Sequence, residues 1–377
     1  CMRFPTKGGG IDEARTIRMI RNAIDNGVNY FDTAYFYHNG KSESLLGKAL
    51  GSGYREKVKI ATKLPPFMVS SLEGAKKIFA HQIRKLKTDY IDYYLLHMLT
   101  DKASFDRMVN IGVMEWLEDL KKEGRIVNIG FSFHGSKMDF EEIVGAYPWD
   151  ICQIQYNYLD ENNQATKSGL KLANSLGIPV VVMEPLRGGK LVNNLPTEVI
   201  DTFENYDEER TPAEWALRWI WNHPQVNVVL SGMSDEAQLE ENIKIASDAK
   251  PNTLRPEELE IFDIVKEIML EKTKIPCTSC GYCMPCPYGV DIPGCFASYN
   301  DKYLLGLKEN RWHYMQTLGL LSKKPAYASI CKDCGQCEGY CPQKIQIGKE
   351  LKIVKKEMEL PFFKSIVRIA RKVTRVE

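Results

Sequence analysis

Three features that often mark a protein's partners are missing from this 377-residue chain. Charge of one sign is not in excess, because 50 basic and 49 acidic residues leave a net charge of +1, and bulk charge therefore gives no reason to expect nucleic acid as a partner. No apolar run reaches the roughly 18 residues that span a membrane, and no signal-peptide pattern opens the chain. These absences predict a cytoplasmic protein without a membrane span.

Cysteine is scarce in most of the chain and concentrated at one end. Of the 11 cysteines, only Cys1 and Cys152 precede residue 277, where they lie in predicted strands and are expected to pack; the other nine follow (11 − 2). Disulfides are rare in the cytoplasm, so this concentration indicates metal binding in the C-terminal quarter. The chain opens on "CMRFP" without methionine, and we expect an N-terminal piece to be missing.

The first 250 or so residues alternate short β-rich runs with longer amphipathic segments, which is typical of βα units around a parallel sheet. A glycine-rich GxGxxG motif does not follow the first strand, which disfavours an open dinucleotide-binding sheet. Eight strands indicate a closed (β/α)8 TIM barrel, an α/β fold: the runs "CMRF", Val28–Asp32, Val58–Thr62, Tyr90–Leu96, Ile126–Ser132, Asp150–Tyr156, Pro179–Glu184 and Val226–Ser231. Helical patterns between them include Ile11–Asn26, Ser71–Leu86, Phe105–Lys122 and Asp235–Ala249.

Polar residues at the carboxyl ends of barrel strands are candidates for catalysis. Asp32, Lys63 and His97 end three successive strands, and Tyr37 follows in the loop after Asp32. A tyrosine hydroxyl beside an ammonium can donate a proton to a carbonyl oxygen, and a histidine can orient that carbonyl. Taken singly, each residue also fits a structural role: Lys63 could extend to solvent, Asp32 could cap a turn, and Tyr37 or His97 could pack in the core. Their occurrence together at strand ends favours a catalytic site. The spacing to Asp32 favours Tyr37 over Tyr35.

The motifs "FDTAYFY", "IATK", "YYLLH" and "IGFSF" resemble the aldo-keto reductase family over roughly residues 1–249. The resemblance implies reduction of a carbonyl by hydride from a nicotinamide cofactor. In that scheme Tyr37 is the general acid, Lys63 lowers its pKa, Asp32 pairs with Lys63, and His97 positions the substrate. The loops around Phe67, Met98 and Trp149 are expected to shape the substrate pocket, and they indicate only that its lining is apolar and aromatic.

Cofactor contacts are implied by the same resemblance. Ser132 and Gln153 match residues that bind the nicotinamide amide, although Phe133 replaces the usual asparagine, and Met183 stands where an aromatic residue often stacks on the ring. Around the pyrophosphate and adenine, the matching residues are Leu186, Arg187, Gly188, Gly189, Glu241 and Asn242. An ordinary turn with an exposed Arg187 is the alternative. The two basic residues that often hold a 2′-phosphate fall on Gly232 and Gln238, so both NADP and NAD stay open.

Two cysteine motifs define a second domain. Cys277, Cys280, Cys283 and Cys286 precede Pro287 in CxxCxxCxxCP, and Cys331, Cys334, Cys337 and Cys341 precede Pro342 in CxxCxxCxxxCP. In two-cluster ferredoxins the fourth cysteine of each motif binds the other cluster. The resemblance therefore implies two [4Fe-4S] clusters, one on Cys277, Cys280, Cys283 and Cys341 and the other on Cys331, Cys334, Cys337 and Cys286. Zinc is the alternative metal.

Three further expectations follow from the C-terminal part. The first motif is one residue short before Cys286; Cys295 could replace it, although packing is the favoured role for Cys295. The 44 residues between Cys286 and Cys331 (331 − 286 − 1) carry helical spacing, which predicts a mainly α-helical ferredoxin-like domain. We thus expect a barrel over 1–272, a ferredoxin-like domain over 273–350, and a tail over 351–377.

The tail is predicted to be a basic amphipathic helix. Its apolar stripe is Phe362, Ile366, Ile369, Ala370 and Val373, surrounded by Lys364, Arg368, Arg371, Lys372 and Arg375. Such a helix can bind a membrane surface or an acidic protein, but docking on its own domain is the favoured expectation.

Two functions fit the combined sequence. The first is an NAD(P)-dependent oxidoreductase that interconverts a carbonyl and an alcohol, with clusters that exchange single electrons with a redox partner or brace the fold. The second is an electron-transfer or redox-sensing subunit whose barrel binds nicotinamide or a flavin. Hydride carries two electrons whereas a cluster passes one, so coupling them would need a flavin or a radical-tolerant substrate.

Overall fold

The structure is a computed structural model that describes residues 1–193, 195–206, 209–277, 281, 283–304, 310–322, 324–341 and 343–374. Contacts divide the chain into two compact units. The first comprises 1–188 and 213–254, and the second comprises 189–212 and 255–377. The second unit thus takes in residues 255–271, which the sequence assigns to the barrel, and the domain boundary near 273 stays a prediction.

The first unit is built on a parallel sheet of seven strands in the described residues, paired in sequence order from β3 to β9. A short hairpin precedes it, and the strands are β1 (Thr6–Lys7), β2 (Gly10–Ile11), β3 (Tyr30–Asp32), β4 (Lys59–Leu64), β5 (Ile91–Leu99), β6 (Ile126–Phe133), β7 (Ile151–Gln155), β8 (Val180–Met183) and β9 (Val226–Val229). Sequential parallel order with helices between strands is the arrangement of a (β/α)8 barrel. The fold class is confirmed.

The expected first strand, "CMRF", is wrong as a strand. Residues 1–5 form no ladder in the structure; instead the Cys1 nitrogen donates to the Asp32 carbonyl at 2.5 Å, beside the end of β3. One contact of this kind holds the segment at the sheet edge without the repeated pairing that defines a strand. The other seven predicted strands are confirmed to within a few residues at each end.

Helices surround the sheet and continue into the second unit. Their bounds are α1 (Glu13–Asp25), α2 (Ser42–Ala49), α3 (Leu72–Leu86), α4 (Lys102–Asn110), α5 (Val113–Lys122), α6 (Lys137–Val144), α7 (Thr166–Ser175), α8 (Lys190–Asn193), α9 (Thr197–Tyr206), α10 (Pro212–Trp221), α11 (Glu236–Asp248), α12 (Pro256–Glu271), α13 (Ile292–Leu304), α14 (Asn310–Met315), α15 (Ile347–Met358) and α16 (Phe363–Thr374). The predicted helix Phe105–Lys122 is two helices, because Gly112 adopts a φ of +79° between them.

Side-chain caps fix where several helices begin. Asp12, Ser71, Asp101 and Asp235 each accept a hydrogen bond from a backbone N–H in the first turn of the helix that follows. Since each cap lies a few residues beyond the end of a strand or hairpin, it also sets the length of the loop at the carboxyl end of the barrel. None of the helices among the described residues is long and apolar enough to cross a membrane.

The second unit has its own apolar core. Helices α13 to α16 and the turns near the cysteines contribute to it through residues that include Val290, Phe296, Tyr314, Val354 and Val367. The predicted helical spacing between the two cysteine motifs is confirmed by α13 and α14.

Candidate active site and cysteine sites

A buried ion pair lies at the ends of β3 and β4. Asp32 is in register with Ala61, which puts Lys63, two residues further along β4, on the same face of the sheet. The Lys63 ammonium donates to Asp32 Oδ1 at 2.6 Å and to the Thr33 carbonyl at 2.8 Å, and none of its side chain is exposed. Burial lowers the pKa of Lys63 and Asp32 opposes that lowering. The strand register therefore places a fixed ammonium beneath the barrel mouth.

Tyr37 lies over this pair. Its ring centroid is 5.1 Å from the Lys63 Nζ, within cation–π range. Burial raises the pKa of Tyr37 well above 10, and the carboxylates of Asp32 and Glu184 raise it further. The expected lowering of this pKa by Lys63 is not found, because burial and the two carboxylates all raise it. At neutral pH the hydroxyl is protonated and able to donate.

Tyr35 faces away from this group. Its hydroxyl lies 3.3 Å from His81 Nδ1, and Lys85 Nζ is 4.8 Å from its ring centroid. The spacing argument that favours Tyr37 over Tyr35 agrees with this geometry.

His97 completes the constellation. Its ring stacks on Phe36 at 4.8 Å and meets the Tyr37 ring edge-on at 5.7 Å. It sits where β5 departs from regular pairing, next to Met98 with a φ of +58°. Burial lowers the pKa of His97 well below 6.5, and Lys63 and His134 lower it further, so the imidazole is neutral.

Two buried polar atoms of this group are left without a hydrogen bond within the part of the chain described. They are Asp32 Oδ2 and His97 Nδ1. Buried polar atoms are nearly always paired, and an unpaired one at a cluster of titratable residues indicates a place where a ligand binds.

His134 is a member of this neighbourhood that the sequence reasoning missed. Its backbone N–H donates to the Leu99 carbonyl at 2.9 Å, which ties it to the end of β5. Burial together with Lys63 lowers the pKa of His134 to about 4. The available signal was the two-residue period of β6, since His134 comes two positions after the strand-end residue Ser132.

Three of the residues matched to nicotinamide contacts gather on β6, β7 and β8. Ser132 is in register with Gln153, and its hydroxyl accepts from the Met98 N–H at 2.9 Å. The Gln153 amide donates to the Met183 sulfur at 3.4 Å, while Gln153 Oε1 has no partner among the described residues. A buried, unfilled amide acceptor is what a carboxamide group would satisfy, so these residues fit a nicotinamide ring.

The loop after β8 is held by a charge network. Arg187 Nε pairs with Asp160 Oδ2 at 3.0 Å, and Gln155 donates to the same oxygen at 2.9 Å. The alternative of an exposed Arg187 is wrong, because this pair keeps the side chain largely buried. Gly188 and Gly189 have φ of +71° and +90°, a backbone conformation that glycine adopts freely, and Leu186 is half-buried beside them.

The loop after β9 carries the residues matched to adenine contacts. Glu241 and Asn242 lie half-buried on α11, and Asn242 donates to the Ser231 hydroxyl at 3.0 Å. At the two positions where a cation often stands, the Gln238 side chain accepts from the Ser234 N–H at 2.9 Å, and Gly232 is covered by Arg3.

Arg3 spans the two loops. A Cβ built on Gly232 would lie 3.0 Å from Arg3 Cδ, and one on Gly188 would lie 3.0 Å from an Arg3 guanidinium nitrogen. No hydrogen bond or ion pair links Arg3 to any residue that the structure describes. An uncommitted guanidinium therefore lies near the ends of β8 and β9, the edge where ligands bind in parallel sheets.

One expected pocket residue is misplaced by the sequence reasoning. Trp149 precedes β7 and so lies at the amino end of that strand; its indole donates to the Ile143 carbonyl at 2.9 Å and its ring packs on Phe131 at 4.7 Å. The prediction that Trp149 shapes the pocket is wrong. Phe67, whose ring lies 5.7 Å from that of Phe36, and Met98 do lie beside the catalytic group.

In the second unit, cysteines from both motifs meet at one cavity. Cys277, Cys283 and Cys341 line it together, with Ile292, Pro293, Phe296, Gln343, Ile345 and Ile347 around them. Cys341 comes from the second motif, so this trio belongs to the crossed set implied by the ferredoxin resemblance. Cys280, the fourth member, and Pro342 lie outside the described residues.

The complementary set also comes together. Cys286, Cys331 and Cys337 all pack against the core of the second unit. Burial, with smaller effects of Cys331, Glu338 and Cys286, raises the pKa of Cys337 to about 11. The Cys331 sulfur accepts from the Asp333 N–H at 3.3 Å, and Cys334 is exposed. In the described residues no three cysteine, histidine or acidic side chains converge on one point as ligands of a single ion do. A cubane instead takes four cysteines spread around it.

The cysteines expected to pack are buried or half-buried. Cys295 is fully buried, with Tyr314 Oη at 3.8 Å and the Ala326 carbonyl at 3.7 Å, and burial raises its pKa well above 9. Burial raises the pKa of Cys152 to about 12, while Cys1 is half-buried. Cys295 thus has a place in the core, as the favoured expectation has it.

A parallel (β/α)8 barrel with an Asp, Tyr, Lys and His group at its mouth defines a class of barrel oxidoreductases. The model of the Aldo/keto reductase family matches residues 1–266, and the chain belongs to that family. The model of a 4Fe-4S dicluster domain matches residues 276–346.

Curated relatives agree with this assignment. The chain is 28% identical over 290 residues to "Probable aldo-keto reductase 1" of Glycine max, covering 68% of this chain and 80% of that protein. It is 27% identical over 285 residues to "Uncharacterized oxidoreductase YrpG" of Bacillus subtilis, covering 65% and 86%. These relatives are oxidoreductases by name.

Solved structures are also similar. The holo form of aldo-keto reductase AKR11C1 from Bacillus halodurans has a TM-score of 0.56 at 28% identity, covering 70% of this chain and 91% of that one. An aldo-keto reductase from Klebsiella pneumoniae, in complex with NADPH, has a TM-score of 0.57 at 23% identity, covering 67% and 85%, and shows the fold alone.

Proposed function

We propose that this protein is an NAD(P)-dependent oxidoreductase that interconverts a small carbonyl compound and its alcohol. The observation that carries the proposal is the buried Lys63–Asp32 pair at 2.6 Å beneath the ring of Tyr37, with His97 edge-on to that ring. Such a group has one evident use, which is to hold a proton donor beside a polar substrate in a site closed to bulk water.

The residues divide the work as follows. Tyr37, protonated because burial raises its pKa, gives its hydroxyl proton to the carbonyl oxygen as the carbonyl carbon is reduced. The Lys63 ammonium stabilises the phenolate left behind, and Asp32 keeps that ammonium in place. His97 is a neutral imidazole and orients the carbonyl through a hydrogen bond rather than by charge. A bound reduced nicotinamide supplies the hydride.

The cofactor contacts proposed on the chain are Ser132, Gln153 and Met183 at the nicotinamide, and the loops after β8 and β9 at the phosphates and adenine. Arg3 supports this arrangement because its methylene carbons cover Gly232, where the basic residue of a 2′-phosphate site is missing, and its guanidinium lies beside Gly188 in the loop after β8. Replacing Arg3 by alanine should raise the Kd of the dinucleotide about tenfold, an effect of one charged hydrogen bond, while Arg18→Ala on the exposed face of α1 should not change it. Equal affinities in both variants would remove Arg3 from the site.

We further propose two [4Fe-4S] clusters in the second unit, on the crossed sets of cysteines. The shared cavity of Cys277, Cys283 and Cys341 supports the first set, and the packing of Cys286, Cys331 and Cys337 against one core supports the second. Bound clusters supply one-electron exchange. A redox protein is the partner that such exchange would require, and a flavin in the barrel remains an alternative route between hydride and single electrons.

Anaerobically prepared full-length protein tests the catalytic proposal. Loss of reduced nicotinamide is followed by absorbance with a panel of aldehydes and ketones. The variant Tyr37→Phe should lower kcat about 10²- to 10⁴-fold, the usual contribution of a general acid, while Tyr35→Phe, whose hydroxyl faces His81, should retain activity. Turnover that survives in Tyr37→Phe would contradict the assignment. Cluster reduction by nicotinamide without any carbonyl turnover would favour a redox-sensing subunit instead.

A further inference from the structure

Helix α16 has two apolar faces, and only one of them is buried against residues that the structure describes. Phe363 and Val367 are buried in the core of the second unit. Phe362, Ile366 and Ile369, the stripe that the sequence predicts to dock, are 83%, 42% and 64% exposed. The helix docks on its own domain, as expected, but the contact is made by a neighbouring face of the helix and not by this stripe. Arg375 lies outside the described residues, and the side chains of residues 372–374 are not described.

The docked face is fixed by polar contacts as well as packing. Arg371, expected among the surrounding basic residues, is buried and donates to the carbonyls of Gly319 and Ser322 at 2.7 and 2.8 Å. The rings of Phe363 and Tyr327 meet edge-on at 5.0 Å. Rotating the helix to bury its exposed stripe would leave the Arg371 guanidinium and two carbonyls unpaired, which is costly.

Phe362 is held outward by the backbone. It has a φ of +62°, a conformation rarely adopted by bulky residues, and its carbonyl accepts from the N–H groups of Ser365 and Ile366 at the start of α16. The chain therefore turns sharply at Phe362, whose side chain stays exposed. Unusual backbone conformations are often kept where a side chain must be presented.

The same segment of the chain carries exposed basic side chains. They are Lys364 and Arg368 on α16, where the Lys364 ammonium donates to the Ser329 carbonyl at 3.1 Å, and Lys355 and Lys356 at the end of α15. The nearby acidic residues are engaged elsewhere: Glu357 pairs with Lys302 at 2.6 Å, and Glu359 accepts from the Tyr314 hydroxyl and the Ser329 N–H. The α16 patch, defined as Leu360, Phe362, Ile366 and Ile369 with Lys355, Lys356, Lys364 and Arg368, thus combines exposed apolar and basic side chains in one segment of the chain.

We propose that the α16 patch binds the surface of a membrane that contains anionic lipid. A helix with a row of apolar side chains and flanking cations lies in the interface plane, where the row enters the acyl boundary and the cations meet lipid headgroups. A single row of side chains on one helix offers a small contact area compared with the roughly 800 Å² that each partner buries in a stable protein–protein interface. This disfavours an acidic protein or a second copy of the chain as the partner. The contact is peripheral, since no described helix is long and apolar enough to span.

Vesicle flotation with the full-length holoprotein tests the proposal. Vesicles of phosphatidylcholine alone are compared with vesicles that contain about 30% phosphatidylserine, an anionic content that gives a clear surface potential. The protein should float with the anionic vesicles, and binding should fall steeply as salt is raised, because exposed charges are screened. Failure of the wild-type protein to float would overturn the proposal, as would equal binding to both kinds of vesicle.

Two variants separate the apolar and charged parts. Serine at Phe362, Ile366 and Ile369 should reduce the partition coefficient at least tenfold, and so should Lys364→Glu with Arg368→Glu. The matched controls place serine at Met138, Leu176 and Leu270, which are 73%, 51% and 56% exposed elsewhere, and glutamate at the exposed Lys76 and Lys171. Circular dichroism checks that each variant is folded.

The outcomes are distinct. Equal losses in patch and control variants would show that flotation does not depend on this patch. A wild-type protein that ignores vesicles but forms a salt-sensitive complex with an acidic protein, or a dimer that the serine variant abolishes in sedimentation, would assign the patch to that partner and overturn the lipid proposal.

Discussion

The buried pair of Lys63 and Asp32 allows a quantitative prediction for the variant Asp32→Asn. Asparagine keeps the size of the side chain and one acceptor oxygen but removes the negative charge that lies 2.6 Å from the ammonium. The ammonium would then be buried with only the Thr33 carbonyl, at 2.8 Å, and a neutral amide as partners. Removing one partner of a buried pair typically costs about 3–5 kcal/mol.

The cost has an upper limit that depends on pH. Lys63 can always escape by releasing its proton, and from its ordinary pKa of 10.5 that costs about 4 kcal/mol at pH 7.5, three pH units at about 1.36 kcal/mol each. At pH 9.5 the limit is about 1.4 kcal/mol by the same relation. Because folding lowers the pKa of Lys63, the unfolded chain binds more protons in this range, and the stability of the variant rises with pH relative to the wild type.

Urea unfolding at pH 7.5 and 9.5 measures this difference. Tryptophan fluorescence is a suitable signal, since five of the six tryptophans lie in the first unit: Trp116, Trp149, Trp215, Trp219 and Trp221. We expect Asp32→Asn to lose about 3–4 kcal/mol at pH 7.5 and no more than about 1.4 kcal/mol at pH 9.5. The control Asp25→Asn removes an exposed pair with Lys57 at 3.4 Å and should lose less than about 1 kcal/mol at both pH values.

Two results would refute the reasoning. A loss of the same size at both pH values would mean that the variant is destabilised by packing rather than by an unpaired charge. A loss well above about 4 kcal/mol at pH 7.5 would mean that Lys63 cannot release its proton in the folded state.

Three further predictions concern other parts of the chain. Gly47→Ala should cost about 1–3 kcal/mol in urea unfolding, because its Cβ would lie 2.4 Å from the Lys85 carbonyl, whereas Gly74→Ala, with its nearest neighbour at 3.5 Å, should be neutral or gain up to about 1 kcal/mol; equal effects would contradict the close approach of α2 and α3. Cys341→Ser should lower the iron content from about eight to about four per chain while Cys295→Ser keeps it; full iron in Cys341→Ser would exclude Cys341 as a ligand. Between pH 6 and 8, kcat/KM should be free of a histidine titration, because burial lowers the pKa of His97 well below 6.5 and that of His134 to about 4; a midpoint near 6.5 that is lost in His97→Asn would contradict this.

The barrel was predictable because its signals are local. Short β-rich runs separated by amphipathic segments specify parallel strands with helices between them, and each strand after the first is found within a few residues of its predicted place. The two incorrect predictions of secondary structure also have local causes. "CMRF" has the composition of a strand but makes only one sheet contact, and the break at Gly112 depends on a positive φ that the helical pattern of the surrounding residues conceals.

The group of residues at the barrel mouth was predictable in its membership but not in its electrostatics. Strand-end positions bring Asp32, Lys63 and His97 together whatever the details of packing, since parallel strands share one carboxyl edge. The pKa of Tyr37 depends on burial and on Glu184, which comes from a distant strand, so the sequence predicts a lowered value where the structure has a raised one. His134 was not predicted because the family motif at this position is matched by Ser132 and Phe133 and ends before His134.

Some features of the cysteine sites follow from the spacing of the cysteines in the sequence, and others depend on how the second unit packs. Spacing in two motifs predicts which cysteines share a site, and the cavity lined by Cys277 and Cys341, 64 positions apart (341 − 277), agrees with that prediction. Its walls include Phe296 and Ile347, which are also core residues of the second unit. The contacts that fold this unit therefore also bring the two motifs together, and free energy gained when the thiolates bind iron adds to the stability of the fold. A cluster domain built in this way cannot lose its metal without weakening its own core.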